Sequence, residues 1–241
     1  MLIDPQNSLD APHIAANLAR VRARISAAAL QSGRSVDRIT LVGASKGQPA
    51  AVIAAAQQAG LHDFGESYVQ EALPKIAALA ATAAVQPLNW HFIGALQTNK
   101  TRAVAENFAW VHGLDRLRNA QRLSDQRPYH APPLNVCVQV HIGGEASKGG
   151  VEPDALPQLL RELALLPRLK LRGLMCLPPP ETDPTRQRFW LQQLQQLFES
   201  VNAAGAGLDT LSMGMSDDLE AAVDSGATML RIGTALFGPR A

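Results

Sequence analysis

The feature that most constrains this chain is an alternation. Short apolar stretches at 39–44, 62–67, 88–94, 108–114, 134–140, 170–177, 208–213 and 228–232 read as buried strands. Between them lie helix-patterned stretches at 49–59, 68–80, 98–107, 115–125, 154–166, 185–203 and 216–225. Strands that alternate with helices of this length pair in parallel, each helix crossing over the sheet. No linker, repeat or compositional break divides the series. A further helix at 11–31 precedes the first strand, with Ile14, Leu18, Val21, Ile25 and Leu30 at helical spacing and Gly33 as its stop. Eight such units in 241 residues match a (β/α)8 barrel, for which roughly 250 residues is typical. The expected fold is therefore α/β: one TIM-type barrel domain over residues 1–241, with an extra N-terminal helix. An open doubly wound sheet is the competing arrangement.

Punctuation supports the division. Pro49 suits a first helical turn, where its missing N–H goes unused. Asp115 is placed to cap the helix that follows it. Residues 128–133 read as a turn, and Pro178, Pro179 and Pro180 stop the sixth strand. The stretch 141–153 carries Gly143, Gly144, Gly149 and Gly150 and reads as a mobile loop.

Composition removes several function classes. The net charge is +1, so no strong field recruits nucleic acid or an anionic membrane. Cys137 and Cys176 sit in apolar runs and read as buried strand residues in a reducing compartment, neither a disulfide framework nor a metal site. His62 and His112 lie near strands, at spacings that suggest no metal set. No basic-then-apolar leader opens the chain, and no apolar run approaches the roughly 20 residues of a membrane span. A cytoplasmic protein is expected.

In a barrel the chemistry sits on the loops after the strands. The first strand delivers Lys46 to such a position, followed by Gly47. A lysine that is partly desolvated there can lose its proton, and the neutral amine can form a Schiff base with an aldehyde. The seventh and eighth loops read Ser212-Met213-Gly214-Met215-Ser216-Asp217-Asp218 and Arg231-Ile232-Gly233-Thr234. Ser212, Ser216 and Thr234 offer hydroxyls, and Gly233 admits a close backbone approach, as a phosphate would need. Ser216 followed by Asp217, Asp218 and Glu220 is also an ordinary helix start. Arg231 lies in an apolar run and, if buried, needs a partner. That partner is either a ring nitrogen of a ligand or a carboxylate such as Asp209 or Glu66. Glu66 has a second option, orienting Lys46. His91 reads as a barrel-interior histidine with satisfied hydrogen bonds, ahead of a base. Residues 97–100 fit a polar helix cap or a contact surface.

Several stretches resemble the YggS/PROSC family of pyridoxal phosphate homeostasis proteins. They are residues 41–46, Phe64-Gly65-Glu66 with Tyr68-Val69-Gln70-Glu71, and Trp90-His91-Phe92-Ile93-Gly94 with Leu96-Gln97 and Asn99-Lys100. Arg172-Gly173-Leu174-Met175, residues 211–218, and Arg231-Ile232-Gly233-Thr234 with Phe237-Gly238 complete the set. The resemblance implies a barrel similar to the N-terminal domain of alanine racemase and pyridoxal 5′-phosphate (PLP) as cofactor. It implies that Lys46 carries the cofactor as a Schiff base, that the phosphate lies near Ser212, Ser216, Gly233 and Thr234, and that Arg231 meets the pyridine nitrogen. An arginine cannot accept the ring proton, which makes the cofactor a weaker electron sink. Ser67 stands where the family has Asn, which alters a polar contact to the cofactor.

The implied role is a PLP-binding monomer in vitamin B6 homeostasis that buffers PLP or delivers it to apo PLP-dependent enzymes, without established turnover. Lys148, on the glycine-rich loop, is a candidate transient second acceptor. A PLP-dependent racemase or decarboxylase of weak activity is the alternative. Racemisation needs a base on each face of the carbon, and the chain has two tyrosines, Tyr68 and Tyr129, with Tyr129 before the fifth strand on the non-catalytic face. A sugar-phosphate enzyme using Lys46 without PLP is the third reading.

Overall fold

In a computed structural model, which describes residues 11–81, 87–143 and 149–239, the strands close into the expected barrel. They are β1 (Thr40–Ala44), β2 (Asp63–Glu66), β3 (Asn89–Phe92), β4 (Trp110–Leu114), β5 (Leu134–Gln139), β6 (Leu169–Met175), β7 (Thr210–Ser212) and β8 (Met229–Ile232). Each pairs in parallel with the next, and β8 returns to β1 with Val42 opposite Arg231. Closure leaves no sheet edge exposed. The open sheet is excluded.

The helices are α1 (Ala11–Gln31), α2 (Ala50–Gln58), α3 (Val69–Ala80), α4 (Thr101–Asn107), α5 (Leu117–Gln126), α6 (Leu156–Leu163), α7 (Pro184–Ala203), α8 (Leu219–Asp224) and α9 (Thr234–Phe237). The extra helix α1 buries Ile14, Leu18, Val21, Ile25, Ala28 and Ala29 against α2, α8 and α9. Its outer face reaches back with charge: Arg24 holds Glu220 through two bonds of 2.7 and 2.8 Å. Arg34 donates to the carbonyls of Val223, Gly226 and Ala227, satisfying the end of α8.

Leu30 departs from the periodic stripe and is exposed. Asp115 does not cap α5. The N-cap is Arg116, and the Asp115 carboxylate turns sideways onto that arginine at 2.9 Å. The helix read at 216–225 begins three residues later, because Ser216 and Asp218 are engaged elsewhere, as shown below.

Two glycines set the geometry near the working mouth. A Cβ on Gly173 would fall 1.7 Å from the Thr210 carbonyl oxygen, so only glycine lets β6 and β7 approach there. Gly214 adopts φ +97°, the left-handed region that favours glycine, and its carbonyl accepts from Arg231 N at 3.0 Å. Cys137 and Cys176 are buried free thiols, and burial pushes Cys137 up to about 12. No metal-binding cluster occurs among the described residues, and none of their helices is long and apolar enough to cross a membrane.

Candidate functional site

Lys46 follows β1 directly, on the loop at the carboxyl end of the barrel. It lines a cavity of about 280 Å³ with Gln48, Ser216, Arg231, Gly233 and Thr234. Ala44, Ile93, Leu177, Met215 and Phe237 supply apolar walls. Its volume, ≈ 280 Å³, sits at the lower end of the roughly 300–1,000 Å³ typical of small-molecule clefts. One substituted ring fits that space better than a dinucleotide. A wider cleft lined by Pro178, Pro179, Pro180, Arg24 and Asp218 adjoins it and shares Met215, Ser216 and Asp217.

The structure brings together five of the six residues singled out from sequence. Lys46, Ser216, Arg231, Gly233 and Thr234 share the cavity. Ser212 lies below it, fully buried at the end of β7. It accepts from Arg231 Nη1 at 2.6 Å and meets His112 Nδ1 at 2.7 Å. Ser216 accepts from the Ala235 N–H at 3.1 Å, joining the seventh loop to α9 instead of capping α8. Asp218 accepts from Met215 N at 2.5 Å, which tightens the same loop. A Cβ on Gly233 would make only ordinary contact with Ala44, 3.5 Å from its carbonyl oxygen. Because α9 is a single turn, polar contact here rests on hydroxyls and local N–H groups more than on a helix dipole.

The loop that carries Lys46 is gripped from beneath by three charged side chains. Glu66, at the end of β2, is fully buried and accepts from Ser45 Oγ at 2.6 Å. Lys75, from α3, donates to both Glu66 oxygens at 3.0 and 3.1 Å, to Glu71 at 2.5 Å and to the Ser45 carbonyl at 3.1 Å. Glu71 also accepts from Gly47 N at 2.5 Å. The backbone on both sides of Lys46 is thus fixed. Burial lifts the Glu66 carboxyl above the usual carboxylate range against the pull of Ser45 and Lys75. Burial acts the same way on Glu71, but the bonds from Lys75 and Gly47 outweigh it and hold that carboxyl below its usual range.

Glu66 therefore braces the lysine loop and does not pair with Arg231. Asp209 is also excluded, because Arg172 holds it at 2.8 Å. Arg231 is almost fully buried, donating to Ser212 and to the Cys176 carbonyl at 2.9 Å, and no carboxylate pairs with it among the described residues. Burial pulls its guanidinium below the ordinary arginine range.

His91 is inside the barrel, as expected, bonded at both ring nitrogens: His112 Nε2 at 2.9 Å and Asp63 at 3.0 Å. Burial holds both histidines below the usual imidazole range, His112 well below it. Thr98 bonds Asn119 at 2.9 Å, so the 97–100 stretch joins the barrel's outer wall to α5. Ser67 does not line the cavity. Tyr129 is exposed ahead of β5 under the Arg168 guanidinium, and Tyr68 is exposed at the start of α3. Lys148 lies outside the described residues, with residues 144–147 of its glycine-rich loop.

Sequence reasoning missed Lys75, Glu71 and His112. The first two were legible as an i, i+4 pair on one helix, beginning five residues beyond Glu66. The role of His112 depends on cross-barrel neighbours that no local pattern reveals.

Comparison with known proteins places this architecture. The family model "Alanine racemase, N-terminal domain" matches residues 9–241. The pyridoxal phosphate homeostasis protein of Pseudomonas aeruginosa is 55% identical over 227 residues, 94% of this chain and 96% of that one. That of Escherichia coli is 52% identical, covering 94% and 97%. The structure of PipY from Synechococcus elongatus with PLP bound is 34% identical with a TM-score of 0.78, covering 90% of this chain and all of that one. With a barrel, a strand-end lysine and an arginine-floored cavity in place, and with relatives more than half identical along nearly their whole lengths, this chain belongs to the pyridoxal phosphate homeostasis protein family.

Proposed function

We propose that this chain holds PLP, with Lys46 as the amine that captures the aldehyde, and that it buffers or delivers the cofactor in vitamin B6 homeostasis. One observation carries the reading: an amine, a cationic donor and two hydroxyls converge on a single cavity sized for one ring. When bound, PLP supplies an electrophilic aldehyde and an electron-withdrawing ring. The protein groups would divide the ligand among them. Lys46 would take the aldehyde end, the backbone on either side of it held by Lys75 at Ser45 and by Glu71 at Gly47. Ser216, Thr234 and the backbone at Gly233, which line the same cavity, suit the phosphate. Arg231 would face the ring nitrogen and, having donors only, would leave it unprotonated. Ser212 supports that arginine from below. Neither tyrosine lines the cavity, which agrees with holding the cofactor more than with moving protons on a substrate.

The finer parts belong to the same proposal: residues 1–241 act as one ligand-holding unit, a cytoplasmic monomer whose clients are apo PLP-dependent enzymes. The absorbance spectrum of the purified chain with added PLP, before and after borohydride, tests the core of it. A visible band that borohydride abolishes, with the label mapped to Lys46 and absent in Lys46→Ala, is expected. A chain that gains no band, or that is labelled elsewhere, contradicts it. Transfer of bound PLP to an apoenzyme and the sedimentation coefficient check delivery and monomer state.

A further inference from the structure

Barrel interiors of this kind are filled mainly by branched aliphatic side chains. Here a line of polar groups runs between the two mouths. Arg231 lies at the floor of the Lys46 cavity. Asp63 opens β2 at the other end, where it lines a separate cavity with Arg22 and His62. Ser212, His112 and His91 connect them, all fully buried.

With both rings neutral, the two end groups together fix the direction of every bond. A guanidinium only donates, so Ser212 Oγ accepts from Arg231 Nη1 at 2.6 Å. The hydroxyl could accept a second bond as well, but the Asp63 carboxylate only accepts, so each neutral ring donates from Nε2 toward Asp63 and accepts at Nδ1, and the serine proton goes to His112 Nδ1, 2.7 Å away. Accepting at Nδ1 puts the proton of a neutral His112 ring on Nε2, which faces His91 Nδ1 at 2.9 Å. By the same step His91 carries its proton on Nε2 and donates to Asp63 Oδ1 at 3.0 Å. The His91 ring is held in plane by stacking on Trp110, with centroids 5.6 Å apart and 10° between planes. Trp110 in turn lies under the Arg172 guanidinium at 4.7 Å. A buried cation without a contacting carboxylate is costly. This chain of donors ends on a carboxylate, and each bond polarises the next.

We propose that Ser212, His112, His91 and Asp63 form a one-directional relay that positions the Arg231 guanidinium against the ring end of the ligand, with Asp63 anchoring the relay at the far mouth. The four are positioning residues. The proposal rests on the reading that Arg231 faces the PLP ring, and its first test does not depend on that reading.

Nitrogen NMR of the whole chain, labelled at histidine and free of ligand, reads the relay directly. His91 and His112 are assigned by their contacts with Trp110 and Ser212. Both rings are expected neutral with the proton on Nε2 at pH 7. A proton on Nδ1 of either ring, or a charged ring, overturns the relay. The second test is a PLP titration of His112→Leu beside His112→Asn, whose amide oxygen can still accept from Ser212. His112→Leu is expected to bind about tenfold more weakly and to shift the band of the bound cofactor. His112→Asn is expected to recover most of the affinity and the wild-type band. Wild-type affinity and band in His112→Leu, or no recovery in His112→Asn, overturns the positioning role. If His112→Leu does not fold, Asp63→Asn takes its place, since that side chain is about a quarter exposed. A severalfold loss with the band displaced supports the relay, and no change overturns it. If the wild-type chain itself binds no PLP, the proposed function fails, and the NMR result still decides whether the relay exists.

Discussion

Lys46 and Arg231 face one cavity, yet the structure holds them by opposite means. Beneath Lys46, three charged side chains grip the backbone through Ser45 and Gly47. Beneath Arg231, neutral rings and a hydroxyl grip the side chain itself. The difference follows from what each residue would do. A lysine that captures an aldehyde needs a fixed base and a movable amine, so restraint belongs on the loop. An arginine that orients a ring needs a fixed guanidinium plane, so restraint belongs on the head group. An ionic brace suits the first because it sits where α3 supplies charge from outside the barrel. A neutral relay suits the second because unpaired charges on the barrel axis would be costly.

The sharpest break in this contrast should come from the brace. Lys75→Ala strands the fully buried Glu66 with no cation, and a loss of about 3–5 kcal/mol in denaturant unfolding is expected. Combining it with Glu66→Leu should return much of that loss, because the uncompensated charge is then gone. A small effect of Lys75→Ala alone would mean that the brace carries no strain-free ion pair and the contrast is false.

Ser212→Ala should cost less, about 1–3 kcal/mol, because it leaves one donor of Arg231 and one acceptor of His112 unsatisfied but no charge newly unpaired. Restoration by Ser212→Thr would sharpen the assignment to the hydroxyl.

Acid should separate the two regions by slope. His91 and His112 hold folded-state values below the 6.5 of the unfolded chain. Above that value both states are neutral and pH has no effect through them. Below it the unfolded chain takes protons that the folded chain refuses, so stability falls as pH falls. The slope is about 1.4 kcal/mol per pH unit for each histidine. In the brace, the raised Glu66 adds stability at low pH that fades as pH rises through its folded value. The lowered Glu71 adds stability above its unfolded value of 4.5 that is lost on acidification. These two oppose each other, so the loss that begins near 6.5 belongs to the relay, and His112→Asn should roughly halve it. An unchanged slope in that variant would contradict this assignment.

The smallest effect marks where neither device operates. Asp115→Ala should change stability by no more than about 0.5 kcal/mol, since among the described residues its carboxylate meets only the exposed Arg116. A larger loss would restore Asp115 as a helix cap.

These contrasts also show what a sequence can and cannot convey. The barrel was legible because strands such as Leu134–Gln139 are buried on both faces and read as short apolar runs between helices. Lys46, Gly233 and Thr234 were legible because position after a strand is a local property. The partner of Arg231 was not, because the choice among Asp209, Glu66 and a ligand depends on registers set by closure of the whole sheet. Ser212 looked like a ligand group for the same reason: its loop is at the working mouth, but its side chain turns inward onto His112. Lys75 drew no reading from the sequence, because it is the approach of α3 to β2 that buries it.

The division of labour between brace and relay is tested most directly by one titration. PLP is added to the wild-type chain, Glu71→Ala and Ser212→Ala, recording the visible spectrum and the rate at which borohydride fixes label to Lys46. Glu71→Ala releases Gly47 and should slow labelling with the band at its wild-type position. Ser212→Ala should leave the labelling rate near wild type and displace the band. The same fingerprint from both variants, or no label on Lys46 in the wild-type chain, would contradict the account of two devices holding two ends of one ligand.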